Sequence, residues 1–137
     1  MKRKIFLTVL FMMSLVTISL PWFGGNHIET VYGWVLLDNP IALTCIVLAF
    51  FGIWTDYGKN SEIIGSIGMI GIIAMQIYEF LTWHIISLSG HFDLGLSIDL
   101  CYPEFYFSLG CVFVTYVVFK YIYKKINCQS ILKMSQK

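Results

Sequence analysis

Residues 63–87 read IIGSIGMIGIIAMQIYEFLTWHIIS, and this stretch decides the fold class. It contains one acid, Glu79, and neither lysine nor arginine. A helix rises 1.5 Å per residue, so the roughly 30 Å hydrocarbon core of a bilayer requires about 20 mainly apolar residues. The stretch is a continuous apolar run without the two-residue alternation of a membrane β-strand. It therefore predicts a transmembrane helix.

The composition of the whole chain favours the same class. Of its 137 residues, 58% are hydrophobic and 12% are charged, whereas soluble domains contain about 25% charged residues. A small soluble domain leaves much of its surface exposed and needs polar side chains there, and intrinsic disorder requires low hydrophobicity. The composition therefore argues against a soluble enzyme and against disorder, and it predicts a small integral membrane protein.

Three further apolar stretches predict helices of the same kind. We expect four transmembrane helices, at about residues 5–23, 41–57, 63–87 and 102–123, separated by turns that contain glycine, asparagine or proline. The predicted fold is all-α, a four-helix transmembrane bundle of residues 1–125, with antiparallel neighbours because the connections are short. Residues 126–137 are expected to form a short cytosolic tail. The first stretch could also be a secretory signal peptide, but no good small-residue cleavage site follows it, so we expect a retained helix.

Basic residues are distributed unevenly along the chain. All nine lie at positions 2–4, 59, 120, 124, 125, 133 and 137, and none lies in the loops at about 21–40 and 88–101. With four spans, the basic groups fall on one side, which the positive-inside rule assigns to the cytosol. We therefore expect a multi-pass protein of the bacterial cytoplasmic (inner) membrane with both termini in the cytosol. The outer side then carries five acids, namely Glu29, Asp38, Asp93, Asp99 and Glu104.

Glu79 is the charge that this topology does not explain. A carboxylate inside a bilayer usually faces a bundle interior, a cavity or a partner, and Gln76 lies three residues away on the same helix face. On the fourth helix, Glu104, Ser108 and Thr115 follow the helical repeat and form a second polar stripe. These residues either respond to protons or ions or fix the packing of the helices. The candidate intramembrane polar site consists of Glu79, Gln76, Glu104, Ser108 and Thr115.

Three glycines, Gly65, Gly68 and Gly71, are spaced three residues apart in the third helix. Small residues allow helix backbones to approach closely, and helix association in lipid depends on such packing. The glycines therefore predict a packing interface, within the bundle or between copies of the chain. We expect a homo-oligomer in the lipid bilayer.

Motifs for catalysis, cofactors or metals are absent from the sequence. The four cysteines form no Cys-x-x-Cys pair, which argues against a thiol oxidoreductase, and a disulfide between Cys45 and Cys101 is the one pairing that the topology permits. Neither a catalytic triad nor a nucleotide-binding loop occurs, and the histidines lack the helical spacing of metal ligands. We therefore expect no enzyme activity, no cofactor, no bound metal and no direct nucleic-acid binding.

In size and hydropathy, the chain resembles the small membrane component of two-gene phage-defence systems such as Kiwa, and it also resembles colicin immunity proteins. The resemblance implies a non-enzymatic subunit of a bacterial protection system, active in phage defence or toxin immunity. Such a subunit would act through homo-oligomerisation and a protein partner, which the basic inner loops and the C-terminal tail could contact in the cytosol. The alternative is a small ion or proton channel or transporter that uses Glu79 and the polar stripe of the fourth helix.

Overall fold

The computed structural model describes residues 2–25, 28–55, 58–85 and 90–135, and it is mostly helical, as the sequence predicts. Short 3₁₀ turns lie at Thr17–Ser19 and Gly33–Asp38. The other elements, in chain order, are α1 (Lys2–Val16), β1 (Pro21–Gly25), β2 (Ile28–Tyr32), α2 (Pro40–Trp54), α3 (Lys59–His84), α4 (Leu94–Asp99) and α5 (Pro103–Ser135).

Two of these helices are long and apolar enough to cross a membrane. They are α3 and the first part of α5, Pro103–Ile126. Helix α2 is apolar but has 15 residues, and α1 also has 15, which at 1.5 Å per residue corresponds to about 22 Å. Length and composition therefore indicate two of the four predicted crossings.

The ends of the first and last helices differ from the prediction. Helix α1 ends at Val16 instead of near residue 23, and Leu20 has an extended backbone with ψ of 153°. Proline disfavours helical backbone at the residue before it, so Pro21 explains why Leu20 is extended and why no helical turn continues past Ser19. At the other terminus, α5 continues to Ser135, through most of the segment predicted as a tail.

A small sheet covers the end of the bundle at which α1 and α3 end and α2 and α5 begin. Strand β1 pairs antiparallel with β2. On its other edge, the amide of Gly24 donates to the carbonyl of Leu100 at 3.0 Å, and the amide of Tyr102 donates to the carbonyl of Trp22 at 2.8 Å. Residues 100–102 therefore act as a third strand. We call the described residues among 21–38 and 90–102, which include this sheet and α4, the cap.

An aromatic cluster joins the cap to the helices. The ring of Phe23 in β1 stacks on Trp83 of α3 with ring centroids 4.8 Å apart, and Phe105 of α5 lies 5.5 Å from Phe23. Trp22 meets Phe105 edge to face at 5.4 Å. All four residues are buried. Such aromatic pairs stabilise a core beyond the area that they bury, so the cap and the bundle share one core.

Candidate functional site

The candidate site begins on the buried face of α3. Gln76 is fully buried and Glu79 is 9% exposed. Both lie on the same face as Ile72 and Trp83, at the spacing that brings residues of neighbouring helical turns together. Local helical geometry therefore directs one amide and one carboxyl group into the bundle interior.

A chain of hydrogen bonds connects this face to two other elements. Gln76 Nε2 donates to Ser108 Oγ of α5 at 3.1 Å. Thr17 Oγ1, in the turn after α1, lies 2.8 Å from Ser108 Oγ and 2.6 Å from the carbonyl oxygen of Ser14. Since a hydroxyl carries one proton, Thr17 donates to one of these two acceptors at a time. The chain links α3 and α5 to the C-terminal end of α1, and Ser14, Thr17, Gln76 and Ser108 are all buried.

Several polar atoms near this chain have no hydrogen-bond partner in the described part of the protein. The Oε1 atom of Gln76 and the Nε1 atom of Trp83 are buried and unpartnered. No hydrogen bond from Glu79 to a described residue is formed either, although Glu79 is only 9% exposed. Buried polar groups without partners are destabilising. Glu79 is therefore one member of the predicted site that the hydrogen bonds do not explain.

The remaining two residues of the predicted site lie apart from the chain of hydrogen bonds. Thr115 Oγ1 donates to the carbonyl of Cys111 in its own helix at 2.8 Å, and it lies about 10 Å along α5 from Ser108. Glu104 lies in the first turn of α5, and its Oε2 atom is buried without a partner among the described residues. Gln76 and Ser108 are thus the pair that the structure joins directly.

Sequence reasoning did not include Ser14 and Thr17 in the site. The helical repeat of the sequence indicates both residues, because Leu7, Phe11 and Ser14 follow that repeat and are the buried residues of α1. Thr17 continues that spacing by three residues. A polar pair on the buried face of an apolar helix is itself a candidate for interhelical hydrogen bonds.

The predicted glycine interface faces other helices of the same chain. A β-carbon at Gly68 would lie 2.6 Å from the carbonyl oxygen of Cys45 in α2, and one at Gly71 would contact the sulfur of the same cysteine. A β-carbon at Gly65 would lie 2.5 Å from the ring of Phe119 in α5. The small residues therefore allow α2 and α5 to pack closely on α3.

A buried histidine holds α4 against the end of α3. His84 Nε2 accepts a hydrogen bond from the backbone amide of Asp93 at 3.0 Å, and Nδ1 lies 2.8 Å from Ser97 Oγ. Both His84 and Ser97 are fully buried. Because Asp93 also caps α4 through the amides of Gly95 and Leu96, the histidine fixes both the position and the rotation of that helix.

Three cysteines lie among the residues whose surroundings the structure describes. Cys45, Cys101 and Cys111 are free, so the disulfide that the topology permits between the first two is not formed. Burial raises the pKa of the Cys101 thiol to about 11, although a hydrogen bond with Tyr106 acts in the opposite direction. Across the described ranges, no three histidine, cysteine or acidic side chains are grouped as metal ligands.

An open groove of about 610 Å³ lies between α1 and α5. Its lining is apolar apart from a few side chains, among which Ser14, Thr17 and Thr115 already have hydrogen-bond partners. At Gly110 the groove leaves open space, since a β-carbon there would meet no atom within 4 Å. The groove therefore offers a mainly apolar surface for packing, and its lining also includes Ser19, Tyr106 and Cys111.

No family model matches the chain, and it matches no curated protein and no solved structure.

Proposed function

We propose that the chain is a small multi-pass membrane subunit of a bacterial protection system, which acts through protein contacts and not by catalysis. It spans the cytoplasmic membrane four times with both termini in the cytosol. The segregation of nine basic residues from the two loops that lack them supports this topology. The apolar helices α3 and α5 support membrane insertion.

The hydrogen-bond chain from Gln76 through Ser108 to Thr17 is the observation that carries this proposal. It connects three elements that are far apart in sequence. Its polar groups bond to one another, whereas the polar groups of a conducting pathway face water. Interhelical hydrogen bonds of this kind are an established means of holding helices together in lipid. Gln76, Ser108 and Thr17 therefore serve the bundle, and the exposed surfaces are left for partners.

Two surfaces suit the contacts that the proposal requires. The groove between α1 and α5, with open space at Gly110, could receive a helix of a second copy in a homo-oligomer. The basic residues of the proposed inner side, including Lys59 and Lys124, suit an acidic cytosolic partner. Both surfaces are proposed to bind protein, and neither is proposed to bind nucleic acid.

The experiment is a protection assay in a susceptible bacterium that expresses the chain with its neighbouring genes. We expect plaque formation by phage, or killing by a pore-forming bacteriocin, to fall by about tenfold or more when the chain is expressed. The Ser108→Ala variant should protect less well, because losing this hydrogen bond loosens the helix bundle. Ile67→Val is the control, because this α3 side chain is 56% exposed and does not line the groove between α1 and α5. Unchanged sensitivity to both phage and bacteriocin would remove the protection role.

Glu79 supports a second candidate function, an ion or proton channel or transporter. Its carboxyl group is nearly buried and has no hydrogen-bond partner among the described residues, and ionisable groups at such depth often belong to ion or proton pathways. This candidate requires flux across a membrane that depends on Glu79. The Glu79→Gln variant keeps the size of the side chain and removes its ionisable group, so it is the appropriate test.

A further inference from the structure

We infer that the cap is a docking surface for a cationic, amphipathic segment of a partner protein or peptide. This inference rests on the proposed function, because it names the chemistry of a partner that a non-enzymatic subunit would contact. It concerns the proposed outer side of the molecule, which the cytosolic contacts described above do not involve.

The apolar part of this surface is the outward face of α4. Leu94 and Ile98 are 47% and 53% exposed, and Phe92, which precedes the helix, is 59% exposed. Leu94 and Ile98 are four residues apart and share one side of the helix. The hydrogen bond between Ser97 and His84 holds α4 in this orientation, so the helix does not rotate to bury these side chains. The bundle therefore holds an apolar patch in the exposed position.

The charged part of the surface is acidic. Asp93 and Asp99 lie at the two ends of α4, Glu29 lies in β2 and Asp38 ends the second 3₁₀ turn, and all four are exposed. The sequence contains no lysine or arginine between residues 5 and 58 or between residues 60 and 119, so the cap has no such residue to neutralise its acids. Complementary charge steers association and excludes partners of like charge. The cap therefore favours a cationic partner.

The same charges argue against the lipid surface as the occupant. Helices that lie in the lipid interface usually carry lysine and arginine on their polar face, and anionic lipid attracts basic segments. The polar residues of α4 and its N-cap are instead acids and a serine that faces inward. An amphipathic helix with basic residues beside an apolar stripe matches both parts of the surface, since such helices bind through an apolar face laid on an apolar patch.

The test uses the full chain in nanodiscs of phosphatidylcholine alone, a lipid without net charge. The probe is a fluorescent amphipathic peptide of leucine and lysine, about four helical turns long, and its control replaces each lysine with glutamate. We expect the lysine peptide to bind about tenfold more tightly to loaded discs than to empty discs, and to bind more weakly in about 0.5 M salt, where screening is strong.

Variants of the cap separate docking on the protein from binding to lipid. One double variant removes the apolar patch, Leu94→Ser with Ile98→Ser, and the other removes acidic charge, Glu29→Gln with Asp99→Asn. We expect each to weaken the binding of the lysine peptide by about fivefold or more. Tyr121→Ser, which changes an exposed side chain on the proposed inner half of α5, is the control and leaves binding unchanged. Thermal unfolding of each variant shows whether it remains folded, and these exposed positions should tolerate the changes.

Three results would overturn the inference: equal binding to loaded and empty discs, equal binding of the lysine and glutamate peptides, or binding that the cap variants do not alter. The first of these would identify lipid as the site of binding. The outcome is separable from that of the proposed function. If the wild-type chain protects cells and the cap variants protect equally well, docking at the cap fails while the protection role stands.

Discussion

Helices α2 and α3 pack backbone to backbone at Gly68, so the substitution Gly68→Ala should destabilise the protein. The added methyl group would lie 2.6 Å from the carbonyl oxygen of Cys45 and 2.8 Å from the Cα of Ala49, and it would also contact the amide nitrogen of Ala49. These atoms belong to the backbone of α2, so no side-chain rotation can relieve the contacts. The two helices must move apart.

The size of the effect follows from these distances. Favourable contacts between carbon atoms lie at about 3.5–4.0 Å, so α2 must shift by roughly 0.7 Å or more along the contact direction. Overpacking of a tight core costs about 1–3 kcal/mol, and backbone contacts place Gly68→Ala near the upper end. The higher helix propensity of alanine offsets about 1 kcal/mol. We expect a net loss of about 2 kcal/mol in the free energy of unfolding.

Gly110 supplies the matched control for this experiment. It is also a helical glycine, but a β-carbon there meets no atom within 4 Å, so Gly110→Ala should stabilise the protein by about 0.5–1 kcal/mol. The assay is reversible unfolding in mixed micelles by a denaturing detergent, followed by circular dichroism. If Gly68→Ala proves as stable as the wild type, or shifts stability in the same direction as Gly110→Ala, the close packing of α2 on α3 is wrong.

Three further predictions concern individual side chains. Ser108→Ala leaves the buried amide of Gln76 without its acceptor and should lower the free energy of unfolding by about 1–3 kcal/mol, measured in the same micelles; no loss would contradict the interhelical link. Tyr123→Phe removes the 2.7 Å bond from its hydroxyl to the carbonyl of Gly52 and should cost about 0.5–1.5 kcal/mol, so a neutral result would count against that contact. Because burial raises the pKa of Cys101 to about 11 and the thiolate is the reactive form, its alkylation, followed by peptide mass spectrometry, should be slow at pH 8 and accelerate towards pH 11; rapid reaction at pH 8 would refute this.

The arrangement of α3 could be predicted well from the sequence. A single helical face contains Gly68, Gln76 and Glu79, and the 3.6-residue period assigns these residues to one side without knowledge of any partner. The glycine spacing likewise indicated close packing. The spacing could not indicate which helix packs there, because the sequence around Cys45 and Ala49 in α2 does not differ from that of the other apolar segments.

The cap could not be predicted, because long-range pairing determines it. Strand β1 has five residues, and its second edge is completed by residues 100–102, which follow α3 and α4 in the chain. Local pattern cannot identify such a partner, since strand propensity depends strongly on tertiary context. The same limit applies to His84, whose hydrogen bonds to Asp93 and Ser97 arise only when α4 folds back on the end of α3.

The central claim is that Gln76, Ser108 and Thr17 hold the helices together and that Glu79 does not conduct ions. Proton flux into liposomes that contain the purified chain tests this claim most directly, with a pH-sensitive dye inside the vesicles and an imposed membrane potential. We predict that wild-type liposomes and Glu79→Gln liposomes both show the flux of protein-free liposomes. Flux well above that background in the wild type, abolished in Glu79→Gln, would contradict the account and establish Glu79 as part of a pathway.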